Sequence, residues 1–381
     1  KDRKILERES FLRLSWFSYI NSKIVILFAI SALQTLLYVA IGNTILEVEG
    51  MLFPFWLILF SAACVGNLVG LNISSGLDSV IAIYIIIPLI LVPQLLLGGA
   101  MIHFDDLNPK ITNKTYVPLI GNMMTTRWAY EALAVQQFKK NKFEKLFFDQ
   151  EQIISNAEYK TSFLIPELQS RLQLCMRRKS SDVDSSSLVR DLKLIYNELE
   201  LISQGNDIPP FEYLHLLNYN DFDESVFDHT YGYLFYLDLT FSDLAKKANE
   251  LKEGLYQKIV DETGNAKFVA FKQQHYNKKL ADIVLNRNEI TKILDTDKKL
   301  VQKKDPIFME PTSRVGRAHF YAPVKIIHKT KIDTLWYNFL IMWLTCGILY
   351  ILLYFDVLRR IIKYLVSLNL KEKFKKVPEL I

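Results

Sequence analysis

Amide side chains interrupt otherwise apolar runs of this chain, among them Gln34, Asn67, Asn72 and Gln94. An amide in hydrocarbon is costly unless it meets a partner or water. Two roles fit that constraint. The amides line a polar route, or they bond to neighbouring helices, worth under about 1–2 kcal/mol each. Residue type and position leave both open. Catalysis has no comparable foothold. The chain contains no G-x-x-x-x-G-K-[ST], no G-x-G-x-x-G, no H-E-x-x-H and no C-x-x-C. Its histidines, at 103, 215, 229, 275, 319 and 328, have no metal-ligand spacing. Lysines in the polar half alternate with Asp and Glu, so no nucleic-acid stripe forms. The expectation is a chain with no catalytic residue, no metal and no nucleic-acid partner.

The segments that hold these amides are of membrane length. Between Glu49 and Asp105 the sole formal charge is Asp78, and residues 24–46 and 335–355 are also uncharged. A hydrocarbon core about 30 Å thick needs roughly 20 apolar helical residues. Crossings are expected at about 24–46, 51–77 and 79–102, with a last one inside 333–358. Mean hydropathy over 381 residues is only +0.12, because apolar spans are averaged with an ordinary mixed-charge insert. The second span carries Ser61, Ala62, Ala63, Gly66 and Gly70, small residues that let helices approach. The third carries Pro88, Pro93 and the Gly98-Gly99 pair, which bend a helix and loosen its end.

Charge placement sets the orientation. Lys1, Arg3, Lys4, Arg8, Arg13 and Lys23 precede the first span, and seven further Lys and Arg follow the last. The first loop offers Glu47 and Glu49 and no base. The positive-inside bias then puts both termini in the cytoplasm and the insert outside. Cys64 and Cys346 lie in spans and Cys175 is alone in the insert, so no disulfide can form within it. That favours a bacterial periplasm. The expected location is an inner membrane, crossed several times.

The expected organisation is an amphipathic cytoplasmic helix at 1–20, three spans within 21–101, and a membrane-proximal external segment at 102–138. An extracytoplasmic insert follows at 139–332, then the last span at 333–358 and a basic cytoplasmic tail at 359–381. The fold class is membrane all-α, four transmembrane helices plus a mainly α-helical external domain. In the insert, Leu188, Leu192, Ile195, Leu199 and Ile202 predict a helix between a serine cap at 185–187 and Gly205. Leu244, Ala248, Leu251, Leu255 and Ile259 predict a second, from near Ser242 to Gly264. A third, lysine-rich helix is expected from Phe268 to about Leu300. Residues 177–187 read as a charged loop, 207–233 as irregular and 305–331 as an extended return to the membrane.

Several short segments resemble one family. Glu7-Arg8-Glu9-Ser10-Phe11-Leu12-Arg13-Leu14-Ser15, followed by Tyr19 and Lys23, resembles the entry to the third span of G-subfamily ABC transporters, the White and sterol-transporter kind of ABC-2 permease. Gly70-Leu71-Asn72-Ile73-Ser74-Ser75 resembles that family's turn between spans four and five. Leu97-Gly98-Gly99 resembles the glycine motif that ends span five. Thr126-Arg127-Trp128-Ala129-Tyr130-Glu131-Ala132-Leu133 resembles its R-W-x-Y-E-A-L segment outside the membrane. Together these cover about 1–138 and 333–360.

The resemblance implies that the visible spans are the third to sixth of a six-span permease. It implies a longer protein with two spans and a nucleotide-binding domain upstream, and ATP and Mg on that domain rather than on this chain. Two such halves, alike or different, pair into a transporter embedded in membrane lipid. Glu7, Arg8, Glu9 and Arg13 would sit on the helix that couples ATP-driven motion to the spans. Ala100 and Met101, with Leu97 one turn below, match the positions that plug the route; Leu91 and Gln94 lie deeper, and Gln34 is mid-span in the first helix. Arg127, Trp128, Tyr130 and Glu131 carry the external motif. The long insert departs from the family, whose last external loop is short. It would receive cargo or dock a periplasmic or outer-membrane protein. The implied function is the permease part of an ATP-driven exporter. A mechanotransmission permease and a membrane-anchored scaffold or sensor are the competing readings.

Overall fold

The computed structural model describes residues 15–77, 79–108, 112, 114–181, 185–204, 208–296 and 298–364. The chain divides into two compact units. One comprises Lys1–Asn113, Val117–Gln136 and Thr330–Ile381; the other comprises Lys114–Tyr116 and Gln137–Lys329.

The first unit is built from long apolar helices. Helix α1 (Trp16–Ile45), α2 (Leu52–Gly76) and α11 (Thr334–Tyr354) are long and apolar enough to cross a membrane. Helix α3 (Val80–Leu96) is apolar but has 17 residues and holds both Pro88 and Pro93. At about 1.5 Å per residue it measures roughly 26 Å, at the short end for a span. The expected third crossing, 79–102, therefore stops early. Leu97 caps α3, and the Gly98-Gly99 pair follows it directly. At the other end, the separate cytoplasmic helix expected to finish near residue 20 does not end there. From Trp16 the chain runs unbroken into the first span.

Helix α2 lies between α1 and α11 and packs on both. Its core is Ile58, Cys64, Val65 and Leu68, meeting Ile20 and Ile24 of α1 and Met342 and Cys346 of α11. Polar side chains tie the three together. Asn67 Nδ2 donates to Ser31 Oγ of α1 at 2.8 Å. Asn72 Nδ2 donates to the Leu349 carbonyl of α11 at 3.0 Å. Trp343 Nε1 of α11 donates to Ser61 Oγ at 3.1 Å. For Asn67 and Asn72 the open choice thus falls to interhelical bonding.

The second unit is a helical bundle: α5 (Phe148–Tyr159), α6 (Ile165–Ser181), α7 (Ser185–Ser203) and α8 (Glu224–Thr263), with short α9 (Asn265–His275) and α10 (Lys278–Val284). Leu168, Leu172 and Cys175 of α6, Leu192, Ile195 and Leu199 of α7, and Leu234, Leu237 and Phe241 of α8 form one core. Helix α7 fits its expected limits. Three other expectations fail. Residues 177–181, expected in a loop, continue α6, because Arg178 Nη1 reaches Asp191 Oδ2 of α7 at 2.7 Å. Helix α8 starts at Glu224 rather than near Ser242, with the Asp223 side chain capping Val226 N. Its core face runs through Val226, Leu234, Leu237 and Phe241, while Leu244 and Leu251 of the expected stripe are exposed. The lysine-rich helix expected to reach Leu300 breaks at Asn277, which caps α10. It gives way to an antiparallel hairpin, β1 (Ile293–Thr296) and β2 (Lys299–Gln302), with Leu294 opposite Val301. Its Ile, Thr and Val suit a pleated surface. Strand β3 (Val324–Ile327) lies in the expected extended return.

Candidate functional site

Two motifs far apart in sequence meet where α3 ends. Helix α4 (Thr125–Lys140) begins against it. Thr126 Oγ1 donates to the Gln94 carbonyl, and Thr126 N donates to Gln94 Oε1 at 3.2 Å. Gly98 makes this approach feasible. A Cβ built there would stand 2.8 Å from both Gln94 O and Thr126 Oγ1. Gly99 then turns the chain with φ +79°, a conformation that other residues rarely adopt. The glycine pair is thus the seat for α4.

One turn along α4, a buried polar centre fastens it to the last span. Arg127 Nη2 lies 3.3 Å from Glu131 Oε2, with side chains 2% and 0% exposed. Asn338 of α11, also buried, gives its Nδ2 to Glu131 Oε2 and to the Trp128 carbonyl, both at 2.9 Å. The Arg127 guanidinium stands 3.8 Å from the Trp128 ring centroid. Trp128 Nε1 donates to the Asn122 carbonyl at 2.8 Å and its ring meets Tyr337. Burial pulls the Arg127 guanidinium below its ordinary value, and Glu131 and Tyr337 act against that. A paired, hydrogen-bonded charge is tolerated in such a place; an unpaired one is not. This centre fixes orientation. It contains no nucleophile poised beside a base.

The other site residues are dispersed. Gln34 is exposed on α1. Leu91 and Met101 are 53% and 69% exposed, Ala100 is exposed, and Leu97 and Gln94 are partly buried. Tyr130 is partly buried. Glu7, Arg8, Glu9 and Arg13 lie outside the described residues. Sequence reasoning missed Asn338. The signal was there: it is an amide inside the apolar run 335–355, the same criterion that singled out Gln34, Asn67, Asn72 and Gln94.

In the second unit the charged groups hold the bundle. Asp191, buried on α7, accepts from Arg171 at 3.1 Å and Arg178 at 2.7 Å. Glu198 accepts from Leu300 N at 2.7 Å, tying β2 to α7; burial pushes its carboxyl up to about 6. Glu144 is buried beside Glu151, and desolvation together with that neighbour pushes it up to about 9. Burial raises the Cys175 thiol to about 12, which leaves it unreactive. Among the described residues no group of three metal-ligating side chains occurs.

Residues 1–138 match the family model described as ABC-2 type transporter. Helices α1 to α3 and nearly all of α4 fall within the matched stretch. No curated protein and no solved structure matches the chain.

Proposed function

We propose that this chain is the permease part of an ATP-driven exporter of the G-subfamily kind. The observation that carries the reading is the seating of Thr126 on Gln94 and Gly98. It joins the two most family-like motifs, Leu97-Gly98-Gly99 and the Arg127–Glu131 segment, inside a region that matches the ABC-2 type transporter model. In this reading α3 is a fourth span, shortened by the glycine pair. Ala100 and Met101 plug the route where two halves meet. Leu91, Gln94 and Gln34 face the cargo, and the second unit lies in the periplasm as a dock for cargo or an envelope protein. The sequence has no phosphate-binding loop, so ATP and Mg belong to a nucleotide-binding domain that Glu7, Arg8, Glu9 and Arg13 contact. Helix α1, continuous from Trp16, would carry the closing motion inward.

A photocrosslinking residue at Arg8 tests this in native membranes. The expected product joins Arg8 to a domain with a Walker A motif. Failure to crosslink any such domain, with reversal of Glu7 and Glu9 to Lys leaving cells unaffected, would favour the membrane-anchored scaffold.

A further inference from the structure

The second unit carries a wall of aromatic rings. His229 stacks on Tyr213 with centroids 4.2 Å apart and planes 8° from parallel. Tyr213 meets Phe211 at 5.9 Å, Phe211 stacks on Tyr233 at 4.8 Å, and Tyr233 meets Tyr236 at 6.1 Å. Five rings in succession thus bridge a loop and the first turns of α8. They line an open surface groove of about 380 Å³. The loop is held in place. Pro209 and Pro210 restrict its backbone, and Tyr233 OH donates to the Pro209 carbonyl at 2.7 Å.

The lining chemistry selects the ligand. Among the described residues that line it, Glu212 is the one acidic side chain and none is Lys or Arg. The unit around it is rich in lysine, so their exclusion from this wall disfavours an anion. A sugar would need several amide or carboxylate partners beside the rings, and Glu212 alone fills that role. Tyrosine and phenylalanine faces carry negative potential and attract a desolvated cation. We infer that the wall formed by Tyr213, Tyr233 and Tyr236 with Glu212, backed by the buried ring of Phe211, is a binding site for an organic cation of the quaternary ammonium class. The cation rests on the ring faces and Glu212 neutralises it. The inference stands on this unit alone and holds whether or not the spans transport anything.

Choline and its neutral carbon isostere, dimethylbutanol, are the probes, titrated calorimetrically into the purified full chain in detergent. Saturable choline binding is expected, with the isostere at least about tenfold weaker, because the two differ only in charge. Glu212 and Tyr236 are exposed, so Glu212→Gln and Tyr236→Ala leave the fold intact. Each should weaken choline about three- to thirtyfold. Equal binding of choline and isostere, absence of saturable choline binding, or unchanged affinity in both variants would overturn the site.

Discussion

Asn338 Nδ2 donates 2.9 Å to Glu131 Oε2, a residue 207 positions earlier in the chain. That contact, with the bond to the Trp128 carbonyl, latches helix α4 to the last apolar helix. Its loss has two costs. The buried Glu131 keeps only Arg127 among the contacts described above, and the Trp128 carbonyl loses a donor. Asn338→Leu should therefore destabilise the protein by about 1–3 kcal/mol. Asn338→Asp should do worse, since it sets a second carboxylate against Glu131. Thermal unfolding of both variants in detergent checks the order; a neutral Asn338→Leu would refute the latch.

The glycine seat makes a different forecast. At Gly98 the added Cβ of alanine meets the Gln94 backbone carbonyl at 2.8 Å, and backbone cannot turn aside as a side-chain tip does. Gly98→Ala should lower the unfolding temperature and loosen α4 from α3. Thr126→Gly removes only one of the two clashes, so the double variant should recover part of the loss. Full rescue would mean that the carbonyl contact is harmless.

Glu144 links stability to pH. Burial and Glu151 raise its carboxyl from 4.5 to about 9. Below its ordinary value the group is protonated whether folded or not, and its contribution is complete. As pH rises towards about 9 the unfolded chain ionises while the folded one keeps the proton, so stability falls. Glu144→Gln should flatten this slope and stabilise the protein at alkaline pH by on the order of 2 kcal/mol. Unfolding measured between about pH 5 and pH 9 gives the answer; parallel curves for variant and parent would sink the assignment.

Met101 tests the proposed gate. It is 69% exposed in the single chain, so truncation removes little internal packing. Met101→Ala should change the unfolding free energy by no more than about 0.5 kcal/mol yet make the paired halves leak or turn over faster, while Leu91→Trp should block cargo. A drop in stability with unaltered transport per folded molecule would make Met101 a packing residue.

Orientation has its own test. Ser181, exposed at the end of α6, should react as Ser181→Cys with an impermeant thiol reagent once the outer barrier is opened. Lys373→Cys should stay protected. The reverse pattern would overturn the orientation and with it the export reading.

The apolar helices were legible in the sequence because a bilayer requires each segment to satisfy its own backbone hydrogen bonds and bury its own length. A charge-free run near residues 24–46, 51–77 or 335–355 has few other solutions. Helix α7 was legible for a related reason: a complete stripe from Leu188 to Ile202, with stop and start signals at its ends, faces one core. Long-range contact decided the rest. The first half of α8 is helical because Val226, Leu234 and Leu237 join the core built with α6 and α7. The hairpin at 293–302 exists because its strands pair and Glu198 holds Leu300 from another helix. Gly98 and Thr126, or Glu131 and Asn338, carry no mark in the sequence that matches one to the other. Their pairing follows from which helices pack side by side, and that is set by the summed burial of whole faces rather than by local preference.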